Sequence, residues 1–326
     1  MRALVVDTME PAYNLALEET LFDALDRQDD GLFLLWRNAP SIIVGRHQCT
    51  GEEINADFVR RRGIPVVRRN TGGGAVYHDP GNLNFSFIER AHGDGRVDFA
   101  RYLTPICAAL RTLGVEARIS GRNDLEVMGR KISGSAQRLQ NGKVLHHGTL
   151  LVNLNFADMV EALHVDPEKY LSKGVASVRA RVANIAEFIP RDDLMDELRA
   201  ALVRTCADGR ADIPPELLQQ AEALAESKYR SWEWNYGASP AFTFRRKERF
   251  PWGSVDLRLD VRKGVVTGAR IHGDFFSAAD VTELEQRLIG LRHEPAAMAE
   301  ALRDAPWTTW FSGCDPERMR DFFLQP

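Results

Sequence analysis

The chain has 326 residues, and its 42 Lys+Arg against 46 Asp+Glu leave a formal net charge of −4 at pH 7. Such a length predicts two domains with room for a sizeable core, and the near balance of charge argues against a protein built to coat nucleic acid. Apolar runs such as Leu32 to Trp36 are far too short to span a bilayer, and the opening residues lack the charged head and long apolar stretch of a signal peptide, so a cytoplasmic protein is expected. Cys49, Cys107, Cys206 and Cys314 are scattered without CxxC spacing, which indicates neither a disulfide framework nor a zinc site.

In chain order, Leu17, Leu21, Ala24 and Leu25 fall at helical spacing. "GLFLLWRN", "SIIVGR", "IPVVRR" and "NLNFSFIE" read as short strands bounded by turn residues. "RYLTPICAALRTLG" predicts a helix with Ile106, Leu110 and Leu113 on one face and a stop at Gly114. Strands are predicted in "ARISG", "KISGSAQRL" and "KVLHHGTLLVNL", then helices through "RDDLMDELRAALVRTC" and "PPELLQQAEALAESKY". The pattern resets after "WEWNYGASPAF": alternation in "SVDLRLDVRKGVVTGARI" predicts a hairpin turning at Lys263-Gly264, followed by helices in "DVTELEQRLIGL" and "PAAMAEAL". This gives an α+β chain, with a large domain over residues 1–243 and a small one over 250–326.

Three features carry chemistry. In "RRNTGGGAVYHD" (Arg68 to Asp79) the glycines sit between two strands, where absent side chains let backbone N–H groups approach an anion, with Arg68 and Arg69 as compensating charge. A glycine-rich hairpin with two solvated arginines fits the same letters, and neither the GxxxxGK[ST] nor the GxGxxG order is present. "GRNDLEVMGRKISGSAQ" sets Lys131 among small residues, seven positions after Asp124, a point charge for a phosphate or carboxylate beside a hard oxygen suited to magnesium. An ordinary surface hairpin is the alternative. His146 and His147 are adjacent, which is poor metal spacing on a strand, so one of them is expected to line a pocket or orient a loop.

The ordered set "RRNTGGGAVYHD", "GRNDLEVMGRKISGSAQ", "HHGTLLVN" and "KGVASVRARVANI" resembles the two-domain bacterial lipoate-protein ligases. "NLALEE", "LLWRNAPSIIVGRHQ", "SWEWNYGASPAF" and "ERFPWGSVDLRLDVRKG" extend the likeness over nearly the whole chain. The resemblance implies a catalytic domain of the biotin and lipoate ligase type with a mixed sheet, then a small α+β accessory domain. It implies ATP and Mg2+ as cofactors and a two-step reaction. Lipoate or octanoate and ATP give the acyl-adenylate and pyrophosphate; the acyl group then passes to a lysine on apo lipoyl domains of 2-oxoacid dehydrogenase E2 subunits or on the glycine-cleavage H protein. No nucleic acid or membrane partner is implied.

By motif position the resemblance makes Lys131 the central lysine, touching both the lipoyl carbonyl and the α-phosphate. Arg69, Gly72, Gly73, Gly74, Ala75, Val76 and Tyr77 become the nucleotide loop, with Gly73 and Gly74 also beside lipoate. Asn123 and Asp124 lie near the phosphates, Asp124 as a magnesium contact. His147 and Gly148 wall the lipoate pocket, and Ser177, Arg179 and Val182 belong to a loop closing over the adenylate. Asn70 and Thr71 stand where serine or threonine is usual. Two rival readings are an octanoyltransferase or lipoyl amidotransferase using a cysteine thiolate, and a non-catalytic relative that binds lipoyl domains. No cysteine lies between Cys107 and Cys206, an interval that includes the Lys131 motif, which weakens the first rival.

Overall fold

The computed structural model describes residues 1–25, 30–48, 50–91, 98–121, 123–163, 181–236, 244–262, 265–293 and 295–324. A seven-stranded mixed sheet forms the centre of the larger part. It takes β1 (Arg2–Val5), β2 (Leu32–Trp36), β6 (Asn82–Arg90), β7 (Arg118–Ser120), β8 (Asp124–Val127), β9 (Arg130–Gln140) and β10 (Lys143–Leu151) in the order β1-β2-β6-β10-β9-β8-β7. β1 and β2 run parallel, whereas β2, β6, β10 and β9 pair antiparallel. A smaller sheet sets β3 (Ser41–Val44) between β4 (Val66–Arg68) and β5 (Val76–His78), so the glycine triplet links two strands that flank the same neighbour.

Side chains alternate across a strand, and β2 is apolar on both sides, so the large sheet is covered twice. Phe33 and Leu35 join Phe85, Phe87 and Leu150 in a core shared with helices α2 (Phe99–Thr112) and α3 (Leu194–Cys206). Leu34 and Trp36 face the other way, into a core with α1 (Pro11–Ala24) and α4 (Pro215–Leu224). Helix α1 is buried over most of its circumference, Glu18 and Glu19 included, because it lies beneath both the sheet and α4. Helix α4 ends in a π turn, Ala225–Tyr229, that turns Lys228 and Tyr229 onto Glu19.

The C-terminal domain has an antiparallel sheet of β11 (Phe244–Phe250), β12 (Gly253–Arg262) and β13 (Val265–Gly273) with helices Thr282–Leu288, Pro295–Ala301, Trp307–Trp310 and Pro316–Leu324 around its own core. Arg262 pairs with Val265, so β12 and β13 form the expected hairpin, while the Lys263-Gly264 turn itself lies outside the described residues. Its sheet starts with β11, ahead of the segment whose alternation is visible in the sequence: in "FRRKERF" alternate positions are intermediate and exposed, and the charged residues mask the period. Among the described residues, no helix is long and apolar enough to cross a membrane.

Candidate active site

A cavity of about 180 Å³ lies on the α1 face of the large sheet. Arg69, Gly73, Gly74, Ala75, Val76, Asn123, Lys131, His147 and Gly148 all line it, bringing together residues up to 79 positions apart in the sequence. Lys131 reaches it from β9. β8 pairs with β9 through a register shift between Leu125 and Glu126, and Lys131 Nζ meets Asp124 Oδ1 at 2.8 Å. A Cβ on Gly134 would sit 3.0 Å from that ammonium, so the bare glycine gives the lysine its path along the strand. Its backbone is held from the far side by Arg181 and Ala183: Lys131 N–H donates to Arg181 O at 2.7 Å and Ala183 N–H to Lys131 O at 2.8 Å, with Val182 bridged between. Ser177 and Arg179 lie outside the described residues.

The two arginines of the glycine motif divide their work. Arg68 is buried, and its guanidinium is taken up by the carbonyls of Gly45, Arg46, Gln48, Trp234 and Asn235 and by Thr50 Oγ1, so it ties segments together and does not face the cavity as compensating charge. Arg69 does line the cavity, donating to Gly72 O at 2.7 Å and Gly74 O at 2.9 Å while Nε donates to Thr71 Oγ1 at 3.0 Å. Burial lowers its guanidinium to about 10, so it stays charged at neutral pH. With the loop carbonyls drawn to Arg69, no hydrogen bond within the described residues takes up the N–H groups of Gly74 and Ala75.

The three glycines answer three different demands. Gly73 has φ +93, a conformation glycine adopts without penalty, and its N–H donates to Phe275 O at 3.2 Å. A Cβ on Gly72 would stand 2.1 Å from the Phe275 carbonyl oxygen of the C-terminal domain. Only Gly74 has open space where a Cβ would go. Gly72→Ala is therefore expected to lift the 275–276 segment and cost about 1–3 kcal/mol, as overpacking does. Gly74→Ala should leave the urea midpoint unchanged; equal stability losses in the two variants would refute this division.

His147 lies at the end of a buried chain. Its Nδ1 is 2.9 Å from Glu18 Oε2 and its Nε2 is 2.7 Å from Thr71 Oγ1, which also accepts from Arg69. A proton on Nδ1 satisfies the carboxylate and leaves Nε2 to accept from the threonine hydroxyl, so one run of bonds joins α1, β10 and the loop. Its neighbour His146 points to the opposite face, fully buried among Phe85, Phe87, Phe99 and Tyr102.

Two motif side chains point elsewhere. The Tyr77 side chain is buried with Ile42 and Phe58 in the core of the small sheet, on the side away from the cavity, because it alternates with Val76 and His78. Asn70 also turns away: it donates to Tyr229 Oη at 2.8 Å and accepts from Lys228 Nζ at 3.1 Å, in a cluster around Glu19. Among the described residues no three His, Cys, Asp or Glu side chains gather to hold a metal; Asp124 offers one carboxylate, the number that suffices for a magnesium carried mainly by phosphates. Cys107, Cys206 and Cys314 do not line the cavity, and burial raises all three thiols, to about 12 at Cys206 and about 11 at Cys314.

Sequence reasoning named Thr71 only as a position of the glycine motif and missed Glu18, Trp36, His78, Asn84 and Phe276 as site residues. Phe276 comes from the C-terminal domain, lines the cavity and packs on Phe99 with ring centroids 5.3 Å apart. The one available signal was the Glu18-Glu19 pair inside an apolar helix, since buried carboxylates need partners.

Residues 10–207 match the family model of the lipoyl protein ligase A/B catalytic domain, and residues 239–323 match that of the bacterial lipoate protein ligase C-terminus. Lipoate-protein ligase LplJ of Bacillus subtilis (strain 168) is 42% identical over 319 residues, which is 96% of each chain. Among solved structures, one from Thermoplasma acidophilum, described as a bipartite lipoate protein ligase and its E2 lipoyl domain, is 32% identical with a TM-score of 0.67, covering 74% of this chain and 98% of that one. Another, described as lipoate-protein ligase A bound with ATP, is 30% identical with a TM-score of 0.63, covering 73% and 99%. A chain that carries both family domains in sequence, with the glycine loop and Lys131 turned into one cavity, belongs to the lipoate-protein ligase family.

Proposed function

We propose that this protein is an ATP-dependent lipoate-protein ligase, with a catalytic domain over about residues 1–243 and an accessory domain over 250–326, acting in the cytoplasm. The observation that carries the reading is the convergence of Lys131, Arg69 and the Gly74-Ala75 backbone on one cavity. In the first step a lipoate carboxylate oxygen attacks the α-phosphorus of ATP, forming the mixed anhydride and expelling pyrophosphate. Two anions must meet, so positive charge and N–H donors are needed where negative charge builds up. Lys131 supplies an ammonium between carboxylate and α-phosphate, and Gly74 and Ala75 supply donors to the nucleotide. Asn123 lies beside the phosphates, Asp124 holds Lys131 in place, and the same carboxylate fits one contact to a magnesium brought by ATP. The run from Glu18 through His147 and Thr71 to Arg69 keeps the loop in register with Lys131.

In the second step the ε-amine of an acceptor lysine attacks the acyl carbon, an amide forms, and AMP leaves. The acceptors in this reading are apo lipoyl domains of 2-oxoacid dehydrogenase E2 subunits and the glycine-cleavage H protein. Incubation with ATP, magnesium, lipoate and an apo lipoyl domain should add one lipoyl group to the acceptor, read by intact mass. A gain independent of ATP but dependent on octanoyl-carrier protein would replace this reading with the thiolate transferase, and no gain with either donor would favour a binding module.

A further inference from the structure

A row of residues crosses the large sheet beneath the cavity. Trp36 pairs with Asn84, Asn84 with Thr149, Thr149 Oγ1 bonds Gly134, and Gly134 pairs with Asp124 beside Lys131. With strands ~4.8 Å apart, Trp36 lies roughly 14 Å across the sheet from Gly134. The Lys131 end is charged; at the other end Leu15, Trp36, Ile43 and Val76 make the lining apolar, which suits an acyl chain running away from its carboxyl group. Two polar side chains interrupt that apolar end. His78 and Asn84 are 3% and 2% exposed, both line the cavity, and His78 Nε2 and Asn84 Nδ2 have no hydrogen-bond partner among the described residues.

Both are contacted from behind by other side-chain amides. Asn14 Nδ2 shares its two hydrogens among the backbone carbonyls of Thr8 and Arg37 and Asn38 Oδ1, and Asn38 turns its amide nitrogen to His78 Nδ1, 3.1 Å away. That makes Nδ1 an acceptor and puts the proton of the neutral ring on Nε2. Burial holds the ring neutral, with its titration pushed down to about 3. Likewise Asn82 Nδ2 donates to Asn84 Oδ1 at 2.9 Å, leaving Asn84 Nδ2 as the outward group. The ring of Trp36 stands edge-on to His78, 6.3 Å between centroids, and pairs in register with Asn84, so both donors belong to one end of the cavity.

Within the ligase reading above, we propose that His78 and Asn84 are specificity-determining residues that select an acyl chain ending in sulfur lone pairs, a dithiolane, over one ending in plain hydrocarbon. Thioether-type sulfur is a weak acceptor, but it accepts, whereas a methyl end leaves two buried N–H donors facing apolar surface. Sites built to hydrogen-bond a substrate reject analogues lacking the partner chiefly through that unpaired penalty.

The test compares three acids on the unsubstituted protein: lipoate, octanoate, and 5-cyclopentylpentanoate, which keeps a five-membered ring without sulfur. Lipoate should exceed both others by roughly tenfold in calorimetric affinity and in kcat/KM for pyrophosphate release. His78→Phe and Asn84→Leu should narrow the gap, mainly by improving octanoate and the cyclopentyl acid, whose unpaired-donor penalty they remove, and His78→Gln, which restores a donor, should keep most of it. Equal binding of lipoate and the cyclopentyl acid would overturn the proposal, as would variants that weaken all three acids alike. If the variants do not fold, the three-acid series decides alone. A protein that ranks the acids in binding yet releases no pyrophosphate with any of them would count against the ligase reading and still support this selectivity.

Discussion

Replacing Lys131 with alanine is expected to lower ATP-dependent pyrophosphate release by roughly a hundredfold to a thousandfold, the scale seen when a preorganised donor to developing charge is removed. The fold should be spared. Lys131 is partly exposed, its ion pair with Asp124 is of the kind worth about 0–1 kcal/mol, and its strand is anchored through backbone bonds to Arg181 and Ala183 that alanine retains. The decisive comparison is pyrophosphate release against the thermal unfolding midpoint. Normal release by a folded variant would remove Lys131 from the chemistry, whereas loss of both together would make it a structural residue.

The second large effect concerns acid stability. Burial pushes the titration of His47 and His78 down to about 3 and of His272 to about 4, and places His146 well below its ordinary value. Each is neutral in the fold but takes up a proton near pH 6.5 once unfolded. Because the folded values are depressed, the stability these rings allow is full above about pH 6.5 and falls as the pH drops toward the folded values. Between pH 7.5 and 5.5 each ring then costs about 1.4 kcal/mol, so the four together remove about 5 kcal/mol, a large part of a typical domain's stability. Burial also raises the carboxyls of Asp79 and Glu285, an opposing contribution that sets in as the pH falls through their raised folded values and is complete at the unfolded ones. Urea unfolding at the two pH values measures the loss directly; a flat profile would mean that these rings carry protons within the fold.

Much of this was legible in the sequence for physical reasons. Strand alternation and helix periodicity are local, so β2, β6, β9, β10, α2 and α3 could be read from neighbours alone. The glycine loop, and Lys131 among its small neighbours, were each visible as an unusual local run of residues. What could not be read was long-range: Glu18 meets His147 across 129 positions, and Phe276 reaches the cavity from another domain. Arg68 misled because adjacent arginines look alike, and only the fold shows that one is enclosed by carbonyls while the other faces the ligand space. Tyr77 misled because a motif marks a stretch of backbone, whereas strand alternation sends every second side chain to the other side.

The row from Trp36 to Asp124 has a further consequence. In the ligase reading the acyl chain lies across the strands, so its length is measured in whole strands, each step ~4.8 Å wide, while the side chains on any one strand set only what is met at that distance. Substitutions along β2 or β6 can thus change the chemistry recognised at the chain's end, but a substrate much longer or shorter calls for a sheet of different width. The sheet acts as a ruler with fixed divisions, and evolution or design on this scaffold should find new end groups far more readily than new lengths.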